Sequence, residues 1–457
     1  MQIPANSQQG KSKYLSLLSI AALICISLLI RSDVYKMPHL RGDQRFYIGT
    51  AMKVKKEGIK GYSLRGIDLK PIDPFFVYFD FAKKGEKGDI LDGLSQVEGV
   101  HYYDMPVLTT PPGFAYMLAL SHTLFSTHEK FIMPQQKWMP GNGMYTLGQY
   151  ASKQLYAIIV PLFFSSMLIA FVYLLAKSMF GYEAGIWSAF LMVICPIDIL
   201  TSQKIWADDM VSFFVALSVF LFVWAKRRES PLLAVLSGVS AGLGATTKAT
   251  GGFIVFAIAI YHFYSSREHI KKGNILKALL DKQFLAFLVA GFITILPWYG
   301  LITKTYGSPW YLREKGLIEK GAGFGWWEMI HSRPWYMYLV NIPVHTPVLF
   351  LAYFVVIDLF NSLKGKDNRV LLFLWYAVYL FLLRNNKEGR YMLPAIPAAA
   401  ILSGFYLHRI REWASRKIGI RTGFALIIAV LAICAFWSVP IARDVILKDG
   451  ALILFPF

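Results

Sequence analysis

The chain has 457 residues, 56% of them apolar and 16% charged, with a net charge of +19; an ordinary soluble domain carries roughly a quarter charged residues, so a soluble globular enzyme is excluded and lipid is the main solvent. The positive charge is not a nucleic-acid footprint, because it sits in short segments between apolar runs, such as Lys226-Arg227-Arg228 and residues 408–421, which is the pattern that orients a membrane protein. Cys25, Cys195 and Cys434 all fall inside apolar runs, where cysteine behaves as a small hydrophobe and no disulfide framework is indicated.

In chain order, Lys11 and Lys13 precede an apolar run over 14–30 that reads as a retained first span, since no small-residue cleavage pattern follows it. Further runs near the length that crosses a hydrocarbon core follow at 155–176, 185–201, 210–224, 231–245, 251–264, 284–302, 343–360, 371–383, 391–407 and 423–439. The run Pro111 to Phe125 is barely a span and opens with Thr109-Thr110-Pro111-Pro112-Gly113. If it lies along the interface, the loops 226–228, 267–282, 364–369 and 409–421 face the cytoplasm with sixteen Lys and Arg, against Lys248, Arg384, Lys387 and Arg390 in the opposite short loops. The positive-inside rule favours that arrangement. The sequence therefore predicts an all-α polytopic membrane protein of about 11 transmembrane helices with extracytoplasmic juxtamembrane helices. It is one domain over 1–457, with its N-terminus cytoplasmic, extracytoplasmic segments at 31–153 and 303–341, and an outer C-terminal tail from Ala442.

Polar residues with chemical potential gather at the predicted outer boundary. Asp43, in Arg41-Gly42-Asp43-Gln44-Arg45-Phe46-Tyr47, is an acid near the apolar edge, where Asp commonly caps a juxtamembrane helix and can also serve as a general base. Asp208 and Asp209 interrupt two apolar runs, where acids mark substrate or ion pathways, hold a divalent cation, or are merely solvated. Lys248, after Thr246-Thr247, and Lys387 and Arg390, before Tyr391, run against the charge bias; they call for an anionic partner, either a substrate phosphate or lipid headgroups. Trp298-Tyr299, Trp310-Tyr311, Trp326-Trp327 and Trp335-Tyr336 read as interfacial belts or as surfaces on which a sugar stacks. The histidines show no metal-ligand spacing.

The order of these motifs resembles the C-type glycosyltransferases, in particular the protein O-mannosyltransferase and lipid A aminoarabinose transferase branch. An acid followed by an aromatic after the first span is matched by Asp43 to Tyr47, and a Pro-Pro segment opening an outer helix by Thr110-Pro111-Pro112-Gly113. A second acid matches Asp208-Asp209, a Thr-Lys turn Thr247-Lys248-Ala249, a Pro-Trp-Tyr Pro297-Trp298-Tyr299, and a Lys, Tyr, Leu-Pro, Pro series Lys387, Tyr391, Leu393-Pro394 and Pro397. Two positions depart from the pattern: Gln44 stands where a second acid is common, and Thr110 where a phosphate-binding Lys is common.

The resemblance implies inverting transfer of a sugar from a polyprenyl or dolichyl phosphate carrier to an extracytoplasmic acceptor, which is a protein, lipid or glycan. Asp43 is then the general base, and Asp208 or Asp209 orients acceptor, sugar or base. Lys248, Lys387 and Arg390 hold the lipid phosphate, with Tyr391, Arg45 and Tyr47 at the donor. Members of this branch generally need no catalytic metal, so no cofactor is expected. The competing classes are a transporter or flippase, and an oligosaccharide polymerase or ligase that handles lipid-linked sugars.

Overall fold

The computed structural model describes residues 5–32, 47, 51, 54–55, 58, 111–125, 136–139, 143–146, 155–272, 274–306, 334, 336–362, 367–384 and 388–447. The chain opens with α1 (Ala5–Ile30), followed by α2 (Gly113–Phe125). Next comes an antiparallel hairpin, β1 (Gln136–Met139) and β2 (Gly143–Thr146), with Gln136 opposite Thr146 and Met139 opposite Gly143. Then come α3 (Leu155–Phe180), α4 (Tyr182–Val193), α5 (Pro196–Thr201), α6 (Asp208–Arg228) and α7 (Pro231–Thr247). A 3-10 segment (Ala249–Phe253) leads into α8 (Ile254–Ser265), the short α9 (Arg267–Lys271) and α10 (Ile275–Leu279), and the long α11 (Lys282–Tyr306). α12 (Met337–His345) and α13 (Phe354–Ser362) flank a 3-10 segment (Pro347–Tyr353); α14 (Asn368–Leu382), a 3-10 segment (Gly389–Ala395), α15 (Ile396–Ile418) and α16 (Ile420–Leu447) complete the chain.

Every apolar run expected to span is helical, but not every run is one helix. Five stretches, Tyr156–Phe180, Asp208–Arg228, Lys282–Leu301, Gly389–Ile418 and Ile420–Arg443, are long and apolar enough to cross a membrane; six shorter apolar helices accompany them among the described residues. The run 185–201 breaks at Ile194-Cys195, because Pro196 lacks the amide to continue α4 and instead starts α5 at its first position. The run 343–360 is likewise divided by the 3-10 turn that begins at Pro347. α2, at 13 residues, is too short to span, and α11 runs to Tyr306, a few residues into the expected outer segment 303–341.

α3, α6 and α15 form the interior of the bundle, while α11 and α16 lie outside it and turn Phe292, Ile293, Phe436 and Trp437 outward, as a lipid-facing surface requires. Apolar side chains gain nothing by leaving lipid, so helices here associate through close backbone approach. α7 and α11 show how: Gly238 and Gly242 face α11 one turn apart, and a Cβ on Gly242 would stand 2.9 Å from Gly291 O. α6 and α7 form an antiparallel hairpin. Its bend is made by Glu229 in the left-handed region (φ 51°), by Ser230 Oγ, which accepts from Leu233 N–H at 3.4 Å, and by Pro231 at the first helical position. Asp208 at the start of α6 and Lys248 just past the end of α7 are thereby brought to the same end of the bundle.

Candidate functional site

Lys248 leaves α7 in an extended conformation (φ −156°, ψ 137°) while its N–H still donates to Gly244 O at 3.0 Å, so the side chain is thrown off the helix axis at the helix end. Its carbonyl accepts from Gly251 N–H at 2.8 Å, closing a turn in which a Cβ on Gly251 would crowd Ala245 N at 2.9 Å. From this turn Lys248 Nζ donates to Asp208 Oδ1 at 2.6 Å and lies 4.1 Å from the centre of the Tyr391 ring. Asp208 is 2% exposed and Lys248 18%, so one member of the pair is accessible. Asp208 Oδ2 is buried without a hydrogen-bond partner among the described residues. Burial pulls the Lys248 ammonium below its ordinary value; Asp208 opposes that pull and Arg390 adds to it.

Arg390 and Tyr391 arrive on the 3-10 segment Gly389–Ala395, and two hydrogen bonds from neighbouring helices hold that segment in place. Trp375 Nε1 donates to Pro394 O at 2.8 Å, and Tyr338 OH donates to Glu388 O at 3.0 Å. The Arg390 guanidinium lies 4.5 Å from the Trp206 ring centre and 5.2 Å from that of Tyr391, and its Nε is 2.6 Å from Glu388 Oε1. Lys204 Nζ stands 4.8 Å from the same Trp206 ring. Three cations are thus interleaved with two aromatic rings, Lys204, Trp206, Arg390, Tyr391 and Lys248 in turn, with Asp208 and Glu388 at their side. Such a row offers fixed positive charge to a phosphate while the rings limit its hydration.

α2 closes this end of the bundle. A Cβ on Gly113 would meet Thr246 O at 2.9 Å and Thr247 Oγ1 at 3.0 Å, so the Pro111-Pro112-Gly113 start of α2 abuts the residues that precede Lys248. Tyr47, 4% exposed, stacks edge-on against Phe114 at 4.8 Å. Asp43, Arg45 and Lys387 lie outside the described residues.

Behind Asp208 is a second polar cluster that sequence reasoning missed. Arg31, the residue after α1, is buried and forms an ion pair with Asp198 of α5. It also donates from Nε to Ser202 Oγ at 2.9 Å and from Nη1 to Val193 O at 3.2 Å, and Ser165 Oγ donates to Asp198 at 2.8 Å. Asp209 points into this cluster, accepting from Thr201 Oγ1 at 3.1 Å, whereas Asp208 points at Lys248. The adjacent acids therefore face different surroundings. The available signal was Asp198 itself, an acid inside an apolar run, which demands a buried partner. Among the described residues no group of three or more His, Cys, Asp or Glu is placed to hold a metal ion.

Two family models match parts of the chain: the dolichyl-phosphate-mannose-protein mannosyltransferase model over residues 143–299, and the Alg9-like mannosyltransferase family model over 319–449. An uncharacterized protein of Aquifex aeolicus is 30% identical over 198 residues, covering 43% of this chain and 41% of its own length. An undecaprenyl phosphate-alpha-4-amino-4-deoxy-L-arabinose arabinosyl transferase of Proteus mirabilis is 23% identical over 252 residues, 51% of this chain and 43% of that protein. The chain thus spans less than half the length of these curated relatives in its matched stretches. Among solved structures, ArnT from Cupriavidus metallidurans bound to undecaprenyl phosphate superposes with a TM-score of 0.56 at 13% identity, over 95% of this chain and 73% of that one. The oligosaccharyltransferase AglB from Archaeoglobus fulgidus, in complex with an inhibitory peptide and a dolichol-phosphate, superposes with 0.60 at 14% identity, over 95% and 56%. The chain is thus an integral membrane protein with the helical fold of these two transferases, and two of its segments match mannosyltransferase family models.

Proposed function

We propose that the chain is a membrane glycosyltransferase that moves a sugar from a polyprenyl or dolichyl phosphate carrier to a hydroxyl or amine acceptor on the extracytoplasmic side, acting as one domain over 1–457. The observation that carries this is the convergence of Asp208, Lys248, Arg390 and Tyr391, from three separate stretches of chain, on one end of the helical bundle. Two solved relatives with this fold hold a polyprenyl or dolichol phosphate, which fits a cationic row at a membrane boundary.

In this reading Asp43, four residues before the buried Tyr47, takes the proton of the acceptor as its oxygen or nitrogen attacks the anomeric carbon. The bond from that carbon to the phosphate oxygen breaks on the opposite face, its electron pair going to the carrier phosphate, so the anomeric centre inverts. Lys248 and Arg390, together with Lys387 and Arg45, meet the charge that grows on the leaving phosphate. Tyr391 supplies a ring face and a hydroxyl, and Tyr47 also meets the donor. Asp208 holds Lys248 in place and offers Oδ2 to the acceptor or the sugar.

The test is transfer by the purified protein from a labelled polyprenyl-phosphate sugar to candidate acceptors. Asp43→Asn is expected to abolish turnover and leave donor binding intact. Full turnover by that variant overturns the base assignment. Passage of labelled donor across vesicle membranes without transfer overturns the enzymatic reading in favour of a flippase.

A further inference from the structure

A second polar chamber lies at the opposite end of α6. Eighteen residues separate Asp208 from Lys226 along this helix, about 27 Å at 1.5 Å per residue, so the chamber is on the other membrane face from the acid and cation site. It is a half-open cavity of about 790 Å³ between α6, α7, α8, α11 and α14, a size that accommodates a small ligand or a lipid headgroup. Lys226, Arg227 and Lys282 line it together with Glu229, Asp281 and the apolar Phe222 and Val223.

The charges are not all mutually satisfied. Lys226 Nζ pairs with Asp281 Oδ1 at 2.8 Å, and Asp281 also caps α11 by accepting from Phe284 N–H at 2.8 Å; that pairing and the cap hold the Asp281 carboxyl below its usual range against the effect of burial. Arg227 gives one N–H to Ser178 O at 2.7 Å, out of the five that a guanidinium carries. Three cations against two carboxylates leave the lining one positive charge in excess. Next to the chamber, Arg228 stacks on Trp224 at 4.5 Å and Arg267 on Tyr264 at 4.7 Å, the aromatic and basic pairing that marks headgroup level. The adjoining loops 226–229 and 267–282 carry eight Lys and Arg against three acids. A basic pocket between helix ends at headgroup depth is what binds anionic phospholipid.

We propose that this chamber is a binding site for the phosphodiester of an anionic phospholipid in the leaflet opposite the transfer site, its single negative charge matching the single positive excess of the lining. Arg227 and Lys282 hold the phosphate, while Lys226 is held by Asp281. Phe222 and Val223 give the lining an apolar side for the start of the acyl chains.

The experiment titrates the purified full chain in neutral detergent with short-chain phosphatidylglycerol, phosphatidylcholine or inorganic phosphate, and follows bound lipid by native mass spectrometry and thermal stability by melting. Phosphatidylglycerol is expected to bind saturably and raise the melting temperature, with its affinity weakened about tenfold or more in Arg227→Gln/Lys282→Gln, as loss of two charge-assisted contacts implies. Arg227→Lys/Lys282→Arg is expected to retain binding, and Lys248→Met to leave it unchanged, which separates this site from the donor phosphate site. Equal binding of phosphatidylcholine, saturation by inorganic phosphate alone, or loss of binding in Lys248→Met but not in Arg227→Gln/Lys282→Gln overturns the proposal.

Discussion

Lys248 and Asp208 stand 2.6 Å apart although forty residues separate them, because α6 and α7 fold back on one another and return both ends to one side of the bundle. The relationship distinguishes Asp208 from its neighbour. Asp208→Asn removes the charge that steadies Lys248 and is expected to lower turnover about 100- to 1,000-fold, the range seen when one preorganised electrostatic group is lost. Asp209→Asn keeps an oxygen that accepts from Thr201 and is expected to fold within ~1 kcal/mol of the native chain, with turnover within a few-fold. Steady-state transfer rates and melting curves of the two variants check this; equal loss of turnover in both contradicts the division of roles.

The lowered basicity of Lys248 has a consequence for pH. A lysine with its ordinary value of 10.5 stays charged through the whole working range, whereas burial brings Lys248 below it. As pH rises through that lowered value the ammonium loses its proton, the hold on an anionic donor weakens, and transfer falls. Arginine keeps its charge at any accessible pH. Lys248→Arg is therefore expected to move the alkaline limb of the rate profile upward, even where its maximal rate is lower. An alkaline limb identical in both proteins rules out Lys248 as its source.

Much of the architecture was readable from apolar run length alone, since α1, α3, α6, α7, α11, α14 and α16 overlap runs set out from the sequence, whereas α15 continues to Ile418 through residues expected to form a cytoplasmic loop. The cationic residues Lys248 and Arg390 were readable too, because charge on the sparse side of a membrane protein needs a reason. What could not be read was pairing across the fold. Asp198 sits in an apolar run whose length suggested an unbroken span, and nothing local reveals that Arg31, 167 residues earlier, is its partner. Trp206 carries no local sign of its place, which depends on Lys204 and on Arg390 from a distant stretch of chain. Pro196 and Pro347 each divide a run of spanning length, and run length alone carries no trace of either break.

Arg31 and Asp198 are both buried, so removing one leaves the other as a lone charge in a medium that solvates it poorly. Arg31→Met is expected to destabilise the chain by about 3–5 kcal/mol, and Arg31→Met/Asp198→Leu to recover most of that, because a buried ion pair adds little over a packed apolar pair. Thermal melting in detergent measures both. If Arg31→Met melts with the native chain, the pair is not what joins the end of α1 to α5.

Trp206 serves as a shelf that both Lys204 and Arg390 contact, and a ring that meets two cations is worth more than its apolar area alone. Each contact contributes about 0.5–2 kcal/mol by the attraction of a cation to an aromatic face, so Trp206→Leu is expected to weaken donor affinity by between two- and thirty-fold. Trp206→Phe keeps a smaller π-face and is expected to fall between the two. The acids and Lys248 do not touch this ring in the contacts described, so the effect belongs in donor KM more than in kcat. Donor titrations at saturating acceptor separate the two parameters. A drop in kcat with KM unchanged contradicts the shelf and makes Trp206 part of the reacting centre instead.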